Sequence, residues 1–326
     1  MGEPWRIRPN DGSADHFSAD VPTPILGVLG RKTFTVSGTA NAANGMPPFV
    51  DFYLLLDNTP SMGVAATSAD IATMVNNTSD QCAFACHDQS DPKNYYKLAK
   101  KLGVTMRIDV LRSATQQLMD TAAATETIKN QFGMAIYTFG SSCTAPGLTT
   151  IKSLTNNLSS AKSAAKNIDL MTIPNQGYNN DQCTDYGAIM GDINTAIPNP
   201  GTGSSSASPQ KLLLFVSDGV ADAFNPGSCS RPVEGAGRCQ EPIDLALCTT
   251  IKNRGIKIAI LYTTYLPLPT NDWYNTWIAP FSTKIGPAMQ SCASPGLYFE
   301  VGPNQGISEA MAALFQKAVN QARLTQ

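Results

Sequence analysis

Histidine is almost missing from the 326-residue sequence: only His16 and His87 occur. A Ser-His-Asp hydrolase needs an imidazole base beside its nucleophile, and no Gly-x-Ser-x-Gly elbow is present to supply one. There is no His-Glu-x-x-His pair for catalytic zinc and no Gly-x-x-x-x-Gly-Lys phosphate loop. Excess positive charge is also lacking. A formal net charge of -2 gives no basic footprint for phosphates or an anionic membrane, so nucleic acid is not an expected partner. No apolar run reaches the roughly 18 residues that would span a bilayer. Nor does a basic-then-apolar leader follow Met1.

What is present is a hydrophobic content of 42%, ordinary for a folded protein and too high for wholesale disorder. The length allows one large α/β domain with insertions, or a main domain with a small appendage. Eight cysteines lie in loops rich in Gly, Pro and Asn. A chain of this size folds without staples, so loop disulfides would report an oxidising compartment, a periplasm or cell exterior. Short spacing favours Cys82 with Cys86 and Cys229 with Cys239; the other pairings stay open. Export without an address label leaves two readings. Either this is a soluble fragment whose membrane anchor lies upstream, the preferred one, or the cysteines are reduced.

Residues 1–48 read as an appendage holding one short strand, Thr33 to Ser37, and residues 49–326 as the main domain. From Val50 strands and helices alternate, the pattern of βαβ units with right-handed crossovers. Strands are expected at about 50–56, 132–139, 211–217, 256–262 and 297–301. Ile108, Leu111, Thr115, Leu118 and Ala122 mark one helix, and Ile307, Met311, Leu314 and Ala318 another. Further helices are expected at 157–169, from Thr184 as N-cap to about Ala196, and at 242–253. Polar insertions fall at about 64–103 and 222–240. The fold class is therefore a doubly wound, mainly parallel sheet flanked by helices, with disulfide-bearing loop insertions.

Asp57 and Asp218 each follow an apolar strand run, Phe52-Tyr-Leu-Leu-Leu56 and Leu212-Leu-Leu-Phe-Val216, and each opens into turn formers. Open α/β sheets place ligand sites beyond the carboxyl ends of their strands, so the two carboxylates are candidates for one site. Asp57-Asn-Thr-Pro-Ser61 adds two hydroxyls. Magnesium takes about six oxygens, keeps some waters and is usually held by one or two carboxylates, which suits this donor set. Taken singly, Asp57 with Thr59 and Ser61 reads equally as a polar turn and helix cap, and Asp218-Gly219 reads first as a turn. The metal reading rests on their coincidence.

The order strand, Asp-x-Thr-x-Ser, helix, then Thr-Asp at a helix start, then strand and Asp-Gly, resembles the von Willebrand factor A domain over about residues 50–322. The resemblance implies a metal-ion-dependent adhesion site made of Asp57, Thr59, Ser61, Thr184 and Asp218. Its cation, Mg2+ or else Mn2+ or Ca2+, would keep an open position for a partner's acidic side chain. Thr172 lies in the same interval as Thr184, which is preferred for its following Asp185. Thr59 stands where serine is commoner, and Pro60 where a small residue is usual. Phe49 to Gly63, Cys82-x-x-x-Cys86-His87 and Val216-Ser-Asp-Gly219 also resemble TadG-like pilus assembly proteins of the bacterial envelope. That implies a non-enzymatic role in tight-adherence pilus assembly or attachment, with pilus or envelope components as partners and the membrane reached only through an anchor outside this sequence.

Two rivals remain. One is a structural scaffold whose metal motif has lapsed. The other is a metal-dependent phosphohydrolase, which would need a second carboxylate two residues after Asp57, where Thr59 stands. Cys82-x-x-x-Cys86-His87 has one residue too many between its cysteines for haem attachment. Trp273, Tyr274 and Trp277 read as core packing, with a partner patch as the alternative.

Overall fold

The computed structural model describes residues 15–22, 33–40, 47–79, 81–83, 88, 90, 94–175, 182–235, 237–265, 267, 272–302 and 306–323. The chain separates into two compact units, Met1–Met46 and Pro47–Gln326. In the first, β1 (Asp15–Pro22) and β2 (Thr33–Ala40) pair antiparallel, Asp15 opposite Ala40.

The second unit begins with β3 (Val50–Leu56), whose every residue is buried, followed by a short 3-10 helix at Pro60–Gly63. Then come α1 (Ser68–Asn77), α2 (Tyr95–Leu102), α3 (Arg107–Thr125), β4 (Phe132–Ser142), β5 (Ala145–Thr155), α4 (Leu158–Ala165) and α5 (Tyr186–Ala196). The remainder is β6 (Gln210–Ser217), β7 (Val220–Phe224), β8 (Arg238–Pro242), α6 (Leu245–Asn253), β9 (Lys257–Thr263), α7 (Asp272–Trp277), α8 (Ser282–Cys292), β10 (Tyr298–Val301) and α9 (Ile307–Arg323). Six strands form one sheet in the order β10-β9-β6-β3-β4-β5, parallel except for the β4–β5 edge. The doubly wound, mainly parallel fold class is as expected.

The two-residue period of a strand divides the core. Phe52, Leu54 and Leu56 point to the face covered by α3, α4 and α9. Tyr53 and Leu55 point to the face covered by α5, α6 and α8. On α3 the stripe Ile108, Leu111, Thr115, Leu118 and Ala122 is buried as its spacing predicts, and α9 buries Ile307, Met311, Leu314 and Ala318.

Several local expectations change. The polar insertion at 64–103 carries two helices: α1 is capped by the Thr67 hydroxyl, and α2 by Asn94 at its start and left-handed Gly103 (φ 69°) at its end. Strand β5 adds to the strands expected from the sequence. The helix expected to reach 169 ends at Ala165, and the insertion at 222–240 is spanned by the β7–β8 hairpin, Val220 opposite Pro242. Thr184 is not an N-cap. Asp185 takes that place on α5, accepting from Ala188 N at 3.0 Å. Trp273, Tyr274 and Trp277 lie on α7, where Tyr274 is buried and Arg238 stacks on the Trp273 ring at 4.7 Å.

Candidate metal centre

Register brings the two aspartates together. Leu56 of β3 is opposite Val216 of β6, and Asp57 N donates to Val216 O at 2.9 Å, so adjacent parallel strands end side by side at their carboxyl edge. Asp57 is fully buried. Its Oδ1 accepts from Thr59 N at 3.0 Å and Thr59 Oγ1 at 2.7 Å, and its Oδ2 accepts from Ser217 Oγ at 2.6 Å. Thr59 Oγ1 and Ser61 Oγ lie 3.3 Å apart. Pro60 opens the short 3-10 helix, a position where a missing N–H would be unpaired in any case.

Asp218 is also buried, and its carboxylate is barely satisfied. Val220 N reaches Oδ1 at 3.4 Å, whereas Oδ2 has no hydrogen-bond partner. The half-buried Ser61 hydroxyl is near enough to draw the Asp218 carboxyl down. Gly219 then turns the chain with φ 80°, and a Cβ there would stand 2.6 Å from Ile285 Cγ2, so both conformation and space require glycine.

Burial, first, and the negative charge of Asp57, second, push the Asp218 carboxyl up to about 7, against the Ser61 hydroxyl and the Arg107 guanidinium. Burial likewise pushes Asp57 up, opposed by its bonds from Ser217 and Thr59. Two buried carboxyls thus stand at neighbouring strand ends, where holding both ionised is costly and a cation would relieve the cost.

Thr184 reaches the site along another route. Its backbone pairs with that of Asp222 through two 2.9 Å hydrogen bonds, next to the strand that leaves Asp218. It is buried, but its hydroxyl makes no hydrogen bond to either carboxylate among the described residues. Thr172 instead donates to Ser141 O at 3.2 Å. The structure therefore links Asp57, Thr59 and Ser61 through close oxygens, places Asp218 at the end of the adjacent strand, and ties Thr184 by its backbone to Asp222, four residues beyond Asp218.

Four residues of the site carry weaker sequence signals. Tyr186 OH and Ser217 Oγ are 2.6 Å apart. Because the single Ser217 proton goes to Asp57, Tyr186 is the donor, giving a chain Tyr186 to Ser217 to Asp57. Asn58 gathers three segments: its amide donates to Gly140 O (2.7 Å) and Asp169 O (3.0 Å), and Oδ1 accepts from Phe139 N (3.0 Å). Its own carbonyl accepts from Met171 N at 2.7 Å. Arg107, on α3, stands in the field of Asp218. A serine before the second aspartate and an asparagine after the first are the only local hints of these roles.

Disulfides frame the region. Cys143, just after β4, is bonded to Cys183, the neighbour of Thr184; Cys229 pairs with Cys239 as expected, and Cys248 with Cys292. Cys86 and His87 lie outside the described residues, so the expected Cys82–Cys86 pair does too. Cys229, Cys239 and Glu241 are close enough to hold a metal, but the two sulfurs are bonded to each other. No helix among the described residues is long and apolar enough to cross a membrane.

The donor set fits a hard divalent cation: two carboxylates, one with an unpaired oxygen, and neutral hydroxyls at one strand edge. No family model and no curated protein matches the sequence. Among solved structures, the chain is similar to the vWF domain of the type V pili tip protein Mfa5 from Porphyromonas gingivalis, with 9% identity, TM-score 0.47, and 86% of this chain and 96% of that one covered. It is also similar to the pilus adhesin SpaC from Lactobacillus rhamnosus GG in its open conformation, with 14% identity and TM-score 0.46, covering 85% of this chain but 30% of that one. Proximal thread matrix protein 1 from the mussel byssus, with a zinc-occupied MIDAS motif, gives 12% identity, TM-score 0.41 and coverages of 84% and 46%.

Proposed function

We propose that this chain is a non-enzymatic adhesion or protein-binding domain of a bacterial envelope protein, working outside the cytoplasm in tight-adherence pilus assembly or attachment. A divalent cation, Mg2+ by preference or Mn2+ or Ca2+, would be held by Asp57, Ser61 and Asp218, with Thr59 and Thr184 completing the oxygen set directly or through water. Bound there, the ion would offer an open coordination position to a carboxylate of a protein partner. The observation carrying this reading is the pair of buried aspartates at the ends of β3 and β6, with Asp218 Oδ2 unpartnered. Buried charges are normally paired, and among the described residues no side-chain cation forms an ion pair with either.

The chain's own groups define the rest. Ser217 and Thr59 hold Asp57 in one rotamer, Tyr186 braces Ser217, and Asn58 ties the Asp57 loop to the end of β4. The three disulfides suit an oxidising compartment.

Thermal unfolding with added Mg2+ or Mn2+ tests the reading. A saturable rise in melting temperature is expected, equivalent to about 2.7 kcal/mol at a hundred times Kd. Asp57→Ala should abolish it while circular dichroism stays native. A wild-type protein that ignores both ions would be the scaffold with a lapsed motif; phosphatase turnover removed by Asp57→Asn would make it an enzyme.

A further inference from the structure

A cavity of about 310 Å³ opens between the start of α3, the carboxyl ends of β9 and β10 and the start of α9. Arg107 lines it and is 4% exposed. Its guanidinium has five donors. Among the described residues one of these is used in a hydrogen bond, Nη2 to Thr264 O at 3.0 Å, Arg107 forms no ion pair, and the Asp218 charge offsets only part of the effect of its burial. Arg107 is also the first residue of a 19-residue helix, where the backbone dipole repels a cation. Burying a charge there is expensive without an anion to meet it.

Independent signs point to the same place. Thr263 lines the cavity, is 3% exposed, and its Oγ1 has no hydrogen-bond partner. Ser308 adds a hydroxyl in the first turn of α9. Glu309 lies so close to Gly306 that a Cβ there would collide with its carboxylate. That negative charge lines the cavity as well, and it disfavours a multiply charged anion. Val110 and Val301 make an apolar wall. The volume equals roughly ten water molecules.

We propose that this cavity binds a small organic monocarboxylate, with Arg107 as its charge partner, Thr263 as a second donor, and the apolar wall receiving its hydrocarbon part. The donors of this assignment are separate from the oxygens of Asp57 and Asp218, although Arg107 feels the Asp218 charge.

The test is calorimetric titration of the metal-free protein, stripped on a chelating resin, with benzoate, its neutral isostere benzamide, and inorganic phosphate. Saturable benzoate binding is expected, with benzamide at least roughly tenfold weaker because the charge-assisted bonds to Arg107 are lost. Arg107→Gln should abolish benzoate binding, and Thr263→Val should weaken it several-fold. The proposal is overturned if benzoate does not saturate, if benzamide or phosphate binds as well, or if R107Q binds benzoate normally. Should R107Q fail to fold, T263V decides: unchanged benzoate affinity in that variant overturns it.

Discussion

Strands β3 and β6 run side by side and carry a pair of buried ionisable residues at each end. At the amino end, Asp51 is opposite Lys211 in the register, and their carboxylate and ammonium meet at 2.5 Å. Gly133 on β4 leaves room for that carboxylate, since a Cβ there would collide with it. At the carboxyl end, Asp57 and Asp218 are both acidic, both raised by burial, and one oxygen is unpartnered. One strand pair thus shows a neutralised charge serving the fold and an unneutralised one that weakens it. Buried groups left uncompensated are where function is sought.

The sharpest way to break this contrast is Lys211→Met, which leaves Asp51 buried and alone. A loss of about 3–5 kcal/mol is expected in urea denaturation. The response to Mg2+ should survive in the protein that remains folded, and its loss would mean that the two ends are not separable. Next in size, replacing Cys143 and Cys183 by serine should cost about 2–4 kcal/mol. Because Cys183 precedes Thr184, that variant should also bind Mn2+ more weakly in titration; unchanged affinity would remove Thr184 from the site.

The opposite sign is expected at the carboxyl end. Asp218→Asn should stabilise the metal-free protein by about 1–2 kcal/mol at pH 8 while abolishing the metal response, as removal of a costly functional charge does. The sign follows from linkage. A carboxyl raised to about 7 contributes stability that is full below its unfolded value and lost as pH rises through 7. The advantage of D218N should therefore shrink on acidification and disappear near about pH 4, the unfolded carboxyl range. Metal affinity of the wild type should climb with pH through the same window and level off above it, because the cation displaces protons. A flat affinity between pH 5 and about 8 would contradict the raised carboxyls.

The parts of this arrangement legible in the sequence are the local ones. Asp57 and Asp218 stand out because each directly follows an apolar strand, and Cys229–Cys239 because ten residues separate them. Cys143–Cys183 and Cys248–Cys292 close separations of 40 and 44, which depend on how α5 and α8 pack. The roles of Ser217, Tyr186 and Asn58 are likewise fixed by partners far along the chain: Ser217 lies 160 residues from Asp57, and Gly140 lies 82 from Asn58. Strand β5 hides because it begins Ala145-Pro-Gly147, is half exposed, and slips register repeatedly against β4. Helices α1 and α2 hide because they bury little: Met74 in one, Tyr96 and Ala99 in the other. The N-cap expected at Thr184 falls instead to Asp185, whose carboxylate accepts from Ala188 N.

The most direct test is anomalous diffraction from crystals soaked in Mn2+ at pH 8. A single strong peak is predicted among the Asp57 and Asp218 carboxylates and the Ser61 hydroxyl, with Thr184 at its edge. An empty position there, with manganese bound elsewhere or not at all, would contradict the account.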